Sequence, residues 1–448
     1  MSETIISVSG LRGIIGESLD PDLAMRYAAA FLATLENQGT IVVTRDGRES
    51  GRMLASAISS VVMAHGFDVV NADVAATPTA GVLVRELNAV GGIQISASHN
   101  PAPYNGMKLF GSDGRVISAD AGAKVLDHFH QNTIHYVPFD QLGKLIRCED
   151  ATSAHLEKVL STVDVQAIQQ QKFKVVLDSN RGAGSILGRK LLEALGCEFE
   201  IMGDRPDGQF EHVPEPTADN LESVVAKSKA FGADAVFCQD PDADRLAIID
   251  ENGNYIGEEY TLAITADHRL SKSKGPVVVN CATSRMSADI AAKHGCEFVI
   301  SAVGEANVTG KMVEVEAVYG GEGNGGPIDP KVGYVRDSFV AMAQVLDAMA
   351  AGNQSIGDLV AEIPKYEIYK SKISIDRDLV GDLLDKVEQD FEGADANRMD
   401  GLRLDWSDRW LLVRPSNTEP IVRAIAEAKT AQIARELCDQ VKVMAENI

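Results

Sequence analysis

The sequence predicts an α/β protein with three related α/β domains and a smaller C-terminal α+β domain. Two observations support this prediction. A strand–loop–helix–strand pattern recurs three times along the chain, and a different pattern of alternating strands fills residues 366–448. A chain of 448 residues is also too long for one ordinary hydrophobic core, so two to four domains are expected.

The recurring pattern consists of a Val-rich strand, a polar loop, a helix with a period near 3.6 residues, and a second strand. It occupies residues 40–70, 172–200 and 275–300. Each helix is expected to stop at a glycine, because glycine takes the left-handed position after the last turn without steric cost. These glycines are Gly66, Gly196 and Gly295. Related domains explain the recurrence, and chance repetition of a common βαβ unit is the alternative.

The C-terminal region follows the order β-α-β-β-β-α. Strands are predicted within residues 367–375, 401–406, 409–416 and 421–429, and helices at 378–391 and from 431 onward. The acidic segment near 392–400 is expected to be a loop. We therefore expect domains at residues 1–150, 151–255, 256–365 and 366–448.

Composition excludes several classes of partner. The net charge of −23 would repel a phosphate backbone or an anionic membrane, so neither nucleic acid nor membrane is an expected partner. No apolar run reaches the length of a membrane span, and the first residues do not resemble a signal peptide. Six scattered cysteines without CxxC spacing are typical of reduced thiols in a cytoplasmic protein, with Cys238 packed in a strand.

A first candidate site follows the predicted strand at residues 92–95. There the chain reads "SASHNP", with Ser98 at the switch from strand to loop and Lys108 ten residues further on. A hydrolase serine is disfavoured because GxSxG is absent. Ser98 is instead a candidate phosphoryl acceptor with Lys108 as a nearby cation, and an ordinary turn or helix cap is the alternative.

A second candidate site is the acidic loop "DPDADR". Its carboxylates Asp240, Asp242 and Asp244 alternate, so they converge and repel one another unless a dication binds between them. An EF-hand is excluded, because Arg245 stands where that loop requires glycine and the flanks are typical of strands. The pattern favours a Mg²⁺ site acting on a phosphoryl group whose oxygens Arg245 contacts, and a solvated acidic turn is the alternative.

Two further loops complete the set. In "YGGEGNGGPIDP" (319–330), five glycines allow close approach of a ligand, and Glu322 and Asn324 offer groups that can recognise hydroxyls. In "RPSNTEPIVR" (414–423), polar side chains between two arginines predict an anion cradle, with a solvated strand face as the alternative. Its candidate residues are Arg414, Ser416, Asn417, Thr418 and Arg423.

The combination is more informative than any single loop. A phosphatase needs a serine, a metal site and water, but has little use for a second phosphate site in another domain. An enzyme that moves phosphate between two positions of one sugar needs all four loops. A magnesium-dependent phosphatase and a non-catalytic sugar-phosphate binding protein remain the alternatives.

These motifs, in this order, resemble those of the α-D-phosphohexomutases. The resemblance of "SASHNP" implies that Ser98 carries a phosphoryl group, and that of "DPDADR" implies Mg²⁺ held by the phosphoserine and the three aspartates. "GEGNGG" resembles the sugar-recognition loop and "RPSNTEP" the phosphate-binding loop. "SGLRG" implies that Arg12 lies beside the phosphoserine, and "VGEAN", which contains Gly304, resembles a loop that helps to distinguish sugars.

The resemblance also implies architecture and mechanism. It implies three α/β domains with mixed sheets and a smaller fourth domain around a central cleft. Phosphorylated Ser98 would donate to a hexose monophosphate, giving a hexose 1,6-bisphosphate that turns over and rephosphorylates the serine. Arg12, Lys108 and Arg245 would stabilise the transferring group, the cradle would hold the other phosphate, and closure of the last domain would exclude water.

Two features depart from common family patterns. Many members end the sugar loop with a histidine, where this chain has Gly326, so the general acid/base is expected among Lys108, His99 and Lys331, with Lys108 favoured because it lies on the serine loop. Arg285 is a further candidate cation. The sugar loop resembles that of archaeal-type enzymes commonly assigned as phosphoglucosamine mutases, and this resemblance implies glucosamine phosphate, with Glu322 pairing with an ammonium or accepting from a hydroxyl. Glucose or mannose phosphate is the alternative, and a homodimer is compatible with the sequence.

Overall fold

A computed structural model describes residues 5–7, 10–132, 134–416 and 420–448 of the chain. Over these ranges the strands form four separate sheets that follow one another along the sequence. None of the helices in these ranges is both long and apolar enough to span a membrane. The candidates Asn417 and Thr418 lie outside the described residues.

The first sheet is mixed, with strand order β1-β2-β6-β5-β3-β4-β7. Its strands are β1 (Ile5–Ser7), β2 (Gly10–Ile14), β3 (Thr40–Arg45), β4 (Asp68–Val74), β5 (Gly91–Ile95), β6 (Tyr104–Gly111) and β7 (Leu145–Arg147). The helices around it are α1 (Pro21–Ala33), α2 (Ser50–Ala64), α3 (Thr77–Glu86) and α4 (Ala119–Gln131). The central strands β3 and β5 are almost wholly buried, as their runs of apolar residues require for strands covered on both faces.

The second sheet has the order β11-β10-β8-β9. Its elements are α5 (Ser153–Leu160), α6 (Val165–Gln171), β8 (Lys174–Asp178), α7 (Gly184–Ala194), β9 (Glu198–Met202), α8 (Glu222–Phe231), β10 (Ala235–Gln239) and β11 (Leu246–Ile249). The cysteine at position 238 is buried within β10, and all six cysteines are unpaired, as predicted.

The third sheet has the order β13-β12-β14-β15. Its elements are α9 (Glu258–Lys272), β12 (Val277–Asn280), α10 (Met286–His294), β13 (Phe298–Ser301), α11 (Glu305–Glu314), β14 (Tyr319–Glu322), β15 (Gly326–Ile328), α12 (Ser338–Gly352) and α13 (Ile356–Ala361). Helix α12 is buried on nearly every side, and its side chains join the apolar cores of the second and third sheets into one cluster.

A common arrangement relates these three sheets. Each contains three parallel strands and one antiparallel neighbour, in the orders β6-β5-β3-β4, β11-β10-β8-β9 and β15-β14-β12-β13. The predicted helix stops also agree, because Gly66, Gly196 and Gly295 all have positive φ angles. The three α/β units are therefore built alike, as the sequence repeats indicate.

The C-terminal sheet is antiparallel, with the order β16-β20-β19-β18-β17. Its elements are β16 (Glu367–Ser374), α14 (Val380–Asp390), β17 (Asp395–Asn397), β18 (Leu402–Asp405), β19 (Trp410–Pro415), β20 (Ile421–Ala428) and α15 (Ala431–Glu446). The prediction of a loop over 392–400 was wrong, because part of this segment pairs with β18 as an edge strand. All three residues of β17 are exposed, so the strand lacks the apolar alternation that identifies strands in sequence.

Candidate active site

A cleft of about 790 Å³ brings together residues from all four sheet regions. Its lining includes Arg12 and Lys108 from the first region, Arg245 from the second, Glu322 from the third and Arg414 from the fourth. Candidates from several separate motifs therefore face one common space, whereas Ser98, His99 and the three aspartates are not among its lining residues.

Three of the predicted loops occupy equivalent positions in the three α/β units. Each is the turn between the third parallel strand and its antiparallel neighbour: 96–103 after β5, 240–245 after β10 and 323–325 after β14. Because the units are built alike, one structural position is used three times, for the serine, the aspartates and the sugar loop.

Ser98 is buried and has a left-handed backbone with φ of 49°. Its Oγ–H donates to Asp240 Oδ2 at 2.9 Å, and its Oγ lies 3.4 Å from His99 Nδ1. This conformation costs free energy for a non-glycine residue, so it persists only where the surrounding structure holds the residue in place. The serine therefore lies in a turn that the Asn100 N–H closes on the Ala97 carbonyl at 3.1 Å, and its hydroxyl is oriented toward the aspartate loop.

Arg48, which sequence reasoning missed, holds this serine loop. Its guanidinium donates to the carbonyl oxygens of Ser98 at 2.7 Å and Asn100 at 2.6 Å, and to two more carbonyls further along the loop. Asp46 accepts from Arg48 Nε and from Ser96 Oγ, which in turn accepts from the Ser98 N–H. Both backbone groups of Ser98 are thus fixed by one buried ion pair. The signal was available, since both charges follow a Val-rich strand.

His99 belongs to this loop, and Arg12 contacts the loop from strand β2. Burial, together with the neighbouring cations Arg245 and Arg12, lowers the pKa of His99 to about 3, so its ring is neutral at physiological pH. Arg12 Nη1 donates to Asn100 Oδ1 at 2.9 Å, and burial lowers the pKa of its guanidinium. Arg12 therefore contacts the serine loop at the residue two positions after Ser98.

The aspartate loop forms a buried acidic centre behind Lys108 and Arg245, which line the cleft. The side chains of Asp240, Asp242 and Asp244 are fully buried, and one oxygen from each lies within 4.8 Å of the others. The Oδ2 atoms of Asp242 and Asp244 accept from Lys108 at 2.6 and 2.8 Å. Oδ1 of Asp242 and of Asp244 has no hydrogen-bond partner among the described residues. Buried, converging and unpartnered carboxylate oxygens are the ligands a hard dication requires, so the residues fit a Mg²⁺ ion.

Electrostatics distinguish the three aspartates. Burial and the two neighbouring carboxylates raise the pKa of Asp240. Burial would also raise the pKa of Asp242, but the ammonium of Lys108 outweighs it and lowers that pKa below its usual range. The alternative of a solvated acidic turn is wrong, because these carboxylates are removed from water and paired with cations.

Lys108 lies on strand β6 and not on the serine loop, which corrects the reason for favouring it as general acid/base. It reaches the aspartates because β6 runs antiparallel beside β5. Burial disfavours its charge, but Asp242 and Asp244 more than compensate and raise its pKa. Its ammonium is therefore held protonated. Arg245 caps the aspartate loop, where its N–H donates to Asp240 Oδ1 at 3.2 Å and its side chain lines the cleft.

The sugar loop is organised around Glu322. Its Oε1 accepts from Asn280 Nδ2 at 2.7 Å and from the Gly304 N–H at 3.1 Å. Its Oε2 accepts from Arg336 Nη1 at 2.8 Å and lies 3.4 Å from Asn324 Nδ2. Burial opposes the charge of Glu322, but Arg336 and Asn280 outweigh it and lower the pKa. Gly304 and Asn324 thus lie beside Glu322 in the cleft wall, as the motifs predicted.

The predicted phosphate cradle lies on the fourth sheet. Arg414 on β19 and Arg423 on β20 are direct cross-strand partners, and Arg423 is also opposite Lys372 on β16. Like charges placed directly opposite one another destabilise a sheet unless an anion binds between them. Arg414 contacts Asp400 at 3.2 Å, and the N–H of Ser416 donates to the Ile421 carbonyl at 2.9 Å. Lys372 was not predicted, because the segment around it was interpreted only as a strand.

Two other candidates lie elsewhere. Arg285 does not line the cleft but donates to the Ser407 carbonyl at 2.7 Å and so joins the third and fourth regions. Lys331 is exposed, and its N–H donates to Asp329.

Comparison with known proteins identifies the class. Four models of phosphoglucomutase/phosphomannomutase domains match in succession: α/β/α domain I at residues 4–135, domain II at 153–253, domain III at 257–366, and the C-terminal domain at 377–443. Together they match most of the chain.

Individual relatives agree. The chain is 36% identical over 436 residues to a phosphoglucomutase/phosphomannomutase of Thermococcus kodakarensis, covering 95% of each chain. It is 33% identical to a probable phosphoglucosamine mutase of Methanopyrus kandleri, covering 96% of this chain and 95% of the relative. A crystal structure of a phosphoglucomutase/phosphomannomutase family protein from Burkholderia thailandensis superposes with a TM-score of 0.85 at 26% identity, covering 99% of this chain and 97% of that one.

The chain therefore belongs to the phosphoglucomutase/phosphomannomutase family, the α-D-phosphohexomutases, which are enzymes. The resemblance drawn from the sequence motifs and the fold it implied are confirmed.

Proposed function

We propose that this enzyme moves a phosphoryl group between C6 and C1 of a hexose phosphate through a phosphoserine at Ser98 and a hexose 1,6-bisphosphate. The observation that carries the proposal is the content of the cleft. Lys108 and Arg245, which contact the buried aspartates next to Ser98, line the same cavity as the cross-strand pair Arg414 and Arg423. A sugar bisphosphate carries one phosphate for each of these two regions.

The reacting groups have separate roles in this proposal. Phosphorylated Ser98 donates its phosphoryl group to the free hydroxyl of the sugar monophosphate, the O–P bond to the serine breaks, and Ser98 Oγ leaves. The bisphosphate then turns over and returns its other phosphoryl group to Ser98. Arg12, Arg245 and the protonated Lys108 supply positive charge to the phosphoryl oxygens as the transfer proceeds.

Asp240, Asp242 and Asp244 would hold Mg²⁺ together with an oxygen of the phosphoserine. The ion would supply charge neutralisation for the transferring group. The Oδ1 atoms of Asp242 and Asp244 support this assignment, since they are buried and have no hydrogen-bond partner within the described ranges. Lys108 and Thr77 occupy the other oxygen of Asp242 and so orient its carboxylate.

Transfer to the sugar requires a base that takes the proton of the attacking hydroxyl and an acid that protonates the leaving Ser98 Oγ. The ammonium of Lys108, held protonated at the aspartate centre, is assigned as the acid. The neutral ring of His99, which lies 3.4 Å from Ser98 Oγ, is assigned as the base. The cradle residues Arg414, Ser416 and Arg423, with Asn417 and Thr418, would bind the phosphate that is not reacting. Movement of the fourth domain over the cleft would exclude water.

We assign glucosamine phosphate as the preferred substrate, with glucose or mannose phosphate as the alternative. Glu322 lines the cleft beside the sugar loop, and its lowered pKa keeps its carboxylate charged, which favours a sugar that carries an ammonium group. Names of relatives support both substrates, as one is called a phosphoglucomutase/phosphomannomutase and others probable phosphoglucosamine mutases.

A ³¹P NMR time course tests the proposal. The protein is incubated with Mg²⁺ and a trace of hexose 1,6-bisphosphate, and glucosamine 6-phosphate, glucose 6-phosphate and mannose 6-phosphate are offered in parallel. Conversion of a 6-phosphate to the 1-phosphate supports a mutase, and the fastest sugar identifies the substrate. Release of inorganic phosphate without 1-phosphate would instead make the enzyme a phosphatase. A Ser98→Ala variant that still converts the sugars at a normal rate would exclude the phosphoserine.

A further inference from the structure

Arg336 joins three loops of the cleft that are far apart in sequence. Its three nitrogens donate to three different carboxylates: Nη2 to Asp244 Oδ2 at 2.6 Å, Nη1 to Glu322 Oε2 at 2.8 Å and Nε to Glu305 Oε2 at 2.9 Å. These acceptors belong to the aspartate loop, the sugar loop and the loop of Gly304 respectively. The side chain is 7% exposed, so the contacts are shielded from water.

The arginine is held in this position by its surroundings. A Cβ atom built at Gly326 would lie 2.5 Å from Arg336 Cδ, so the absence of a side chain at 326 makes room for the arginine stem. Asp337, the next residue, caps helix α12 by accepting from the N–H groups of Phe339 and Val340. The guanidinium therefore projects from the start of helix α12, in which 12 of 15 residues are buried.

We propose that Arg336 is a positioning residue that fixes the sugar-reading carboxylate of Glu322 and the metal-binding carboxylate of Asp244 relative to each other. Arg336 and Lys108 both occupy Asp244 Oδ2, so the Oδ1 atom, which has no hydrogen-bond partner among the described residues, is left to face an ion. Occupation of Glu322 Oε2 fixes the orientation of the carboxylate that faces the sugar. A guanidinium suits this role because its planar donors reach several carboxylates in fixed directions, which a lysine cannot do. The inference rests on the proposed function for its sugar half only.

Binding of Mg²⁺ alone tests the metal half without any turnover. Isothermal titration calorimetry is performed on the dephosphorylated, sugar-free protein and on Arg336→Met, with Arg269→Met as a matched control. Arg269 is also a buried arginine of the third unit, but it pairs with Asp329 away from the triad. We expect Arg336→Met to weaken Mg²⁺ binding by about 10–100-fold, as losses of residues that orient metal ligands do, and Arg269→Met by less than about twofold.

Steady-state kinetics at saturating Mg²⁺ test the sugar half. We expect Arg336→Met to raise KM for the hexose phosphate more than it lowers kcat, because Glu322 is no longer held in its reading orientation. Arg336→Lys should restore part of the Mg²⁺ affinity, since an ammonium can satisfy one carboxylate. Its KM for the hexose phosphate should stay nearly as high as that of Arg336→Met. If Arg336→Met does not unfold cooperatively by circular dichroism, Arg336→Lys alone decides between these outcomes.

An Mg²⁺ affinity in folded Arg336→Met equal to that of Arg269→Met would overturn the inference, whatever the mutase activity. A protein that converts no hexose phosphate but loses Mg²⁺ affinity on Arg336→Met would refute the proposed function and leave the metal half of the inference standing. The two failures are therefore distinguishable.

Discussion

The two ends of the cleft are built in different ways. At the reacting end, Ser98 and the aspartate triad are buried, and each side chain is held by partners from distant parts of the chain. At the holding end, Arg414 and Arg423 are placed side by side by strand register, and Arg423 is exposed. A group that transfers a phosphoryl must be oriented in advance, whereas a site that binds either phosphate of a sugar needs charge more than fixed direction.

The same contrast appears in the origin of each end. The reacting end uses equivalent hairpin turns of three similar α/β units, and so combines residues from all of them. The holding end uses adjacent strands of one antiparallel sheet. In the proposed mechanism, placement on a separate domain would allow the holding end to approach or leave the other three units without disturbing the aspartates assigned to the metal.

The largest expected effect separates two serines. Ser98→Ala should reduce mutase turnover by more than about 10³-fold, because the phosphoryl acceptor is lost. Ser416→Ala at the holding end should cost only about tenfold, because it removes one hydrogen-bonding group. Coupled assays of 1-phosphate formation measure both. Equal losses in the two variants would show that the ends do not differ in this way.

Removal of the metal ranks second. EDTA should abolish turnover and Mg²⁺ should restore it, while a thermal melt should show Mg²⁺ stabilising the protein by about 2.7 kcal/mol at a hundred times its Kd. Asp240→Asn should lose this gain but melt no earlier than wild type in EDTA, because the pKa of Asp240 is already raised by burial and by its two carboxylate neighbours.

The exposed Asp408 provides the control for that experiment, since Asp408→Asn should keep the full Mg²⁺ gain. An Asp240→Asn protein that Mg²⁺ stabilises as much as wild type would remove the triad from the metal site.

A smaller effect is expected at the holding end. Arg423→Ala should raise KM about tenfold and change kcat little, because it removes one charged contact to a phosphate that does not react. The same variant should keep or slightly raise the free energy of unfolding, because it relieves the repulsion among Arg414, Arg423 and Lys372 by about 0.2–1 kcal/mol. Steady-state kinetics and urea unfolding measure these, with the exposed Lys442→Ala as control. A loss confined to kcat would contradict the assignment.

The last expected effect is on stability and not on turnover, and it concerns the wall between the two ends. Burial raises the pKa of Glu259 to about 8, so the folded protein holds a proton that the unfolded chain releases near pH 4.5. Between these values the folded state binds more protons, so the stability contributed by this group falls as pH rises, by at most about 1.4 kcal/mol per pH unit. Glu259→Gln should flatten the decline in unfolding free energy between pH 5 and pH 8. An unchanged slope in urea titrations would refute this.

The sequence allowed much of this organisation to be predicted because its signals are local. Val-rich strands, helix-terminating glycines and the four loop motifs each lie within a few residues. The β17 strand was missed for the same reason, because an exposed edge strand such as Asp395–Asn397 owes its structure to the neighbour it pairs with.

The supporting residues of the site were hidden because their partners are remote. Arg336 binds a carboxylate 92 positions away, and Thr77 donates to an aspartate 165 positions away. Lys108 was predicted as a nearby cation, but its contact with the aspartates was not. Only the pairing of β5 with β6 brings its ammonium to the triad. Such contacts depend on strand pairing and domain packing, which cannot be inferred from neighbouring residues in the sequence.

The left-handed backbone of Ser98 restricts which amino acid can occupy the position at all. A threonine has the same hydroxyl, but its branched Cβ makes a positive φ a genuine outlier, and a glycine or asparagine accepts the angle without offering a phosphoryl acceptor. A serine-to-threonine substitution would thus keep the hydroxyl group but disfavour the positive φ that orients it. Few single substitutions at position 98 would therefore keep both the hydroxyl group and the left-handed backbone.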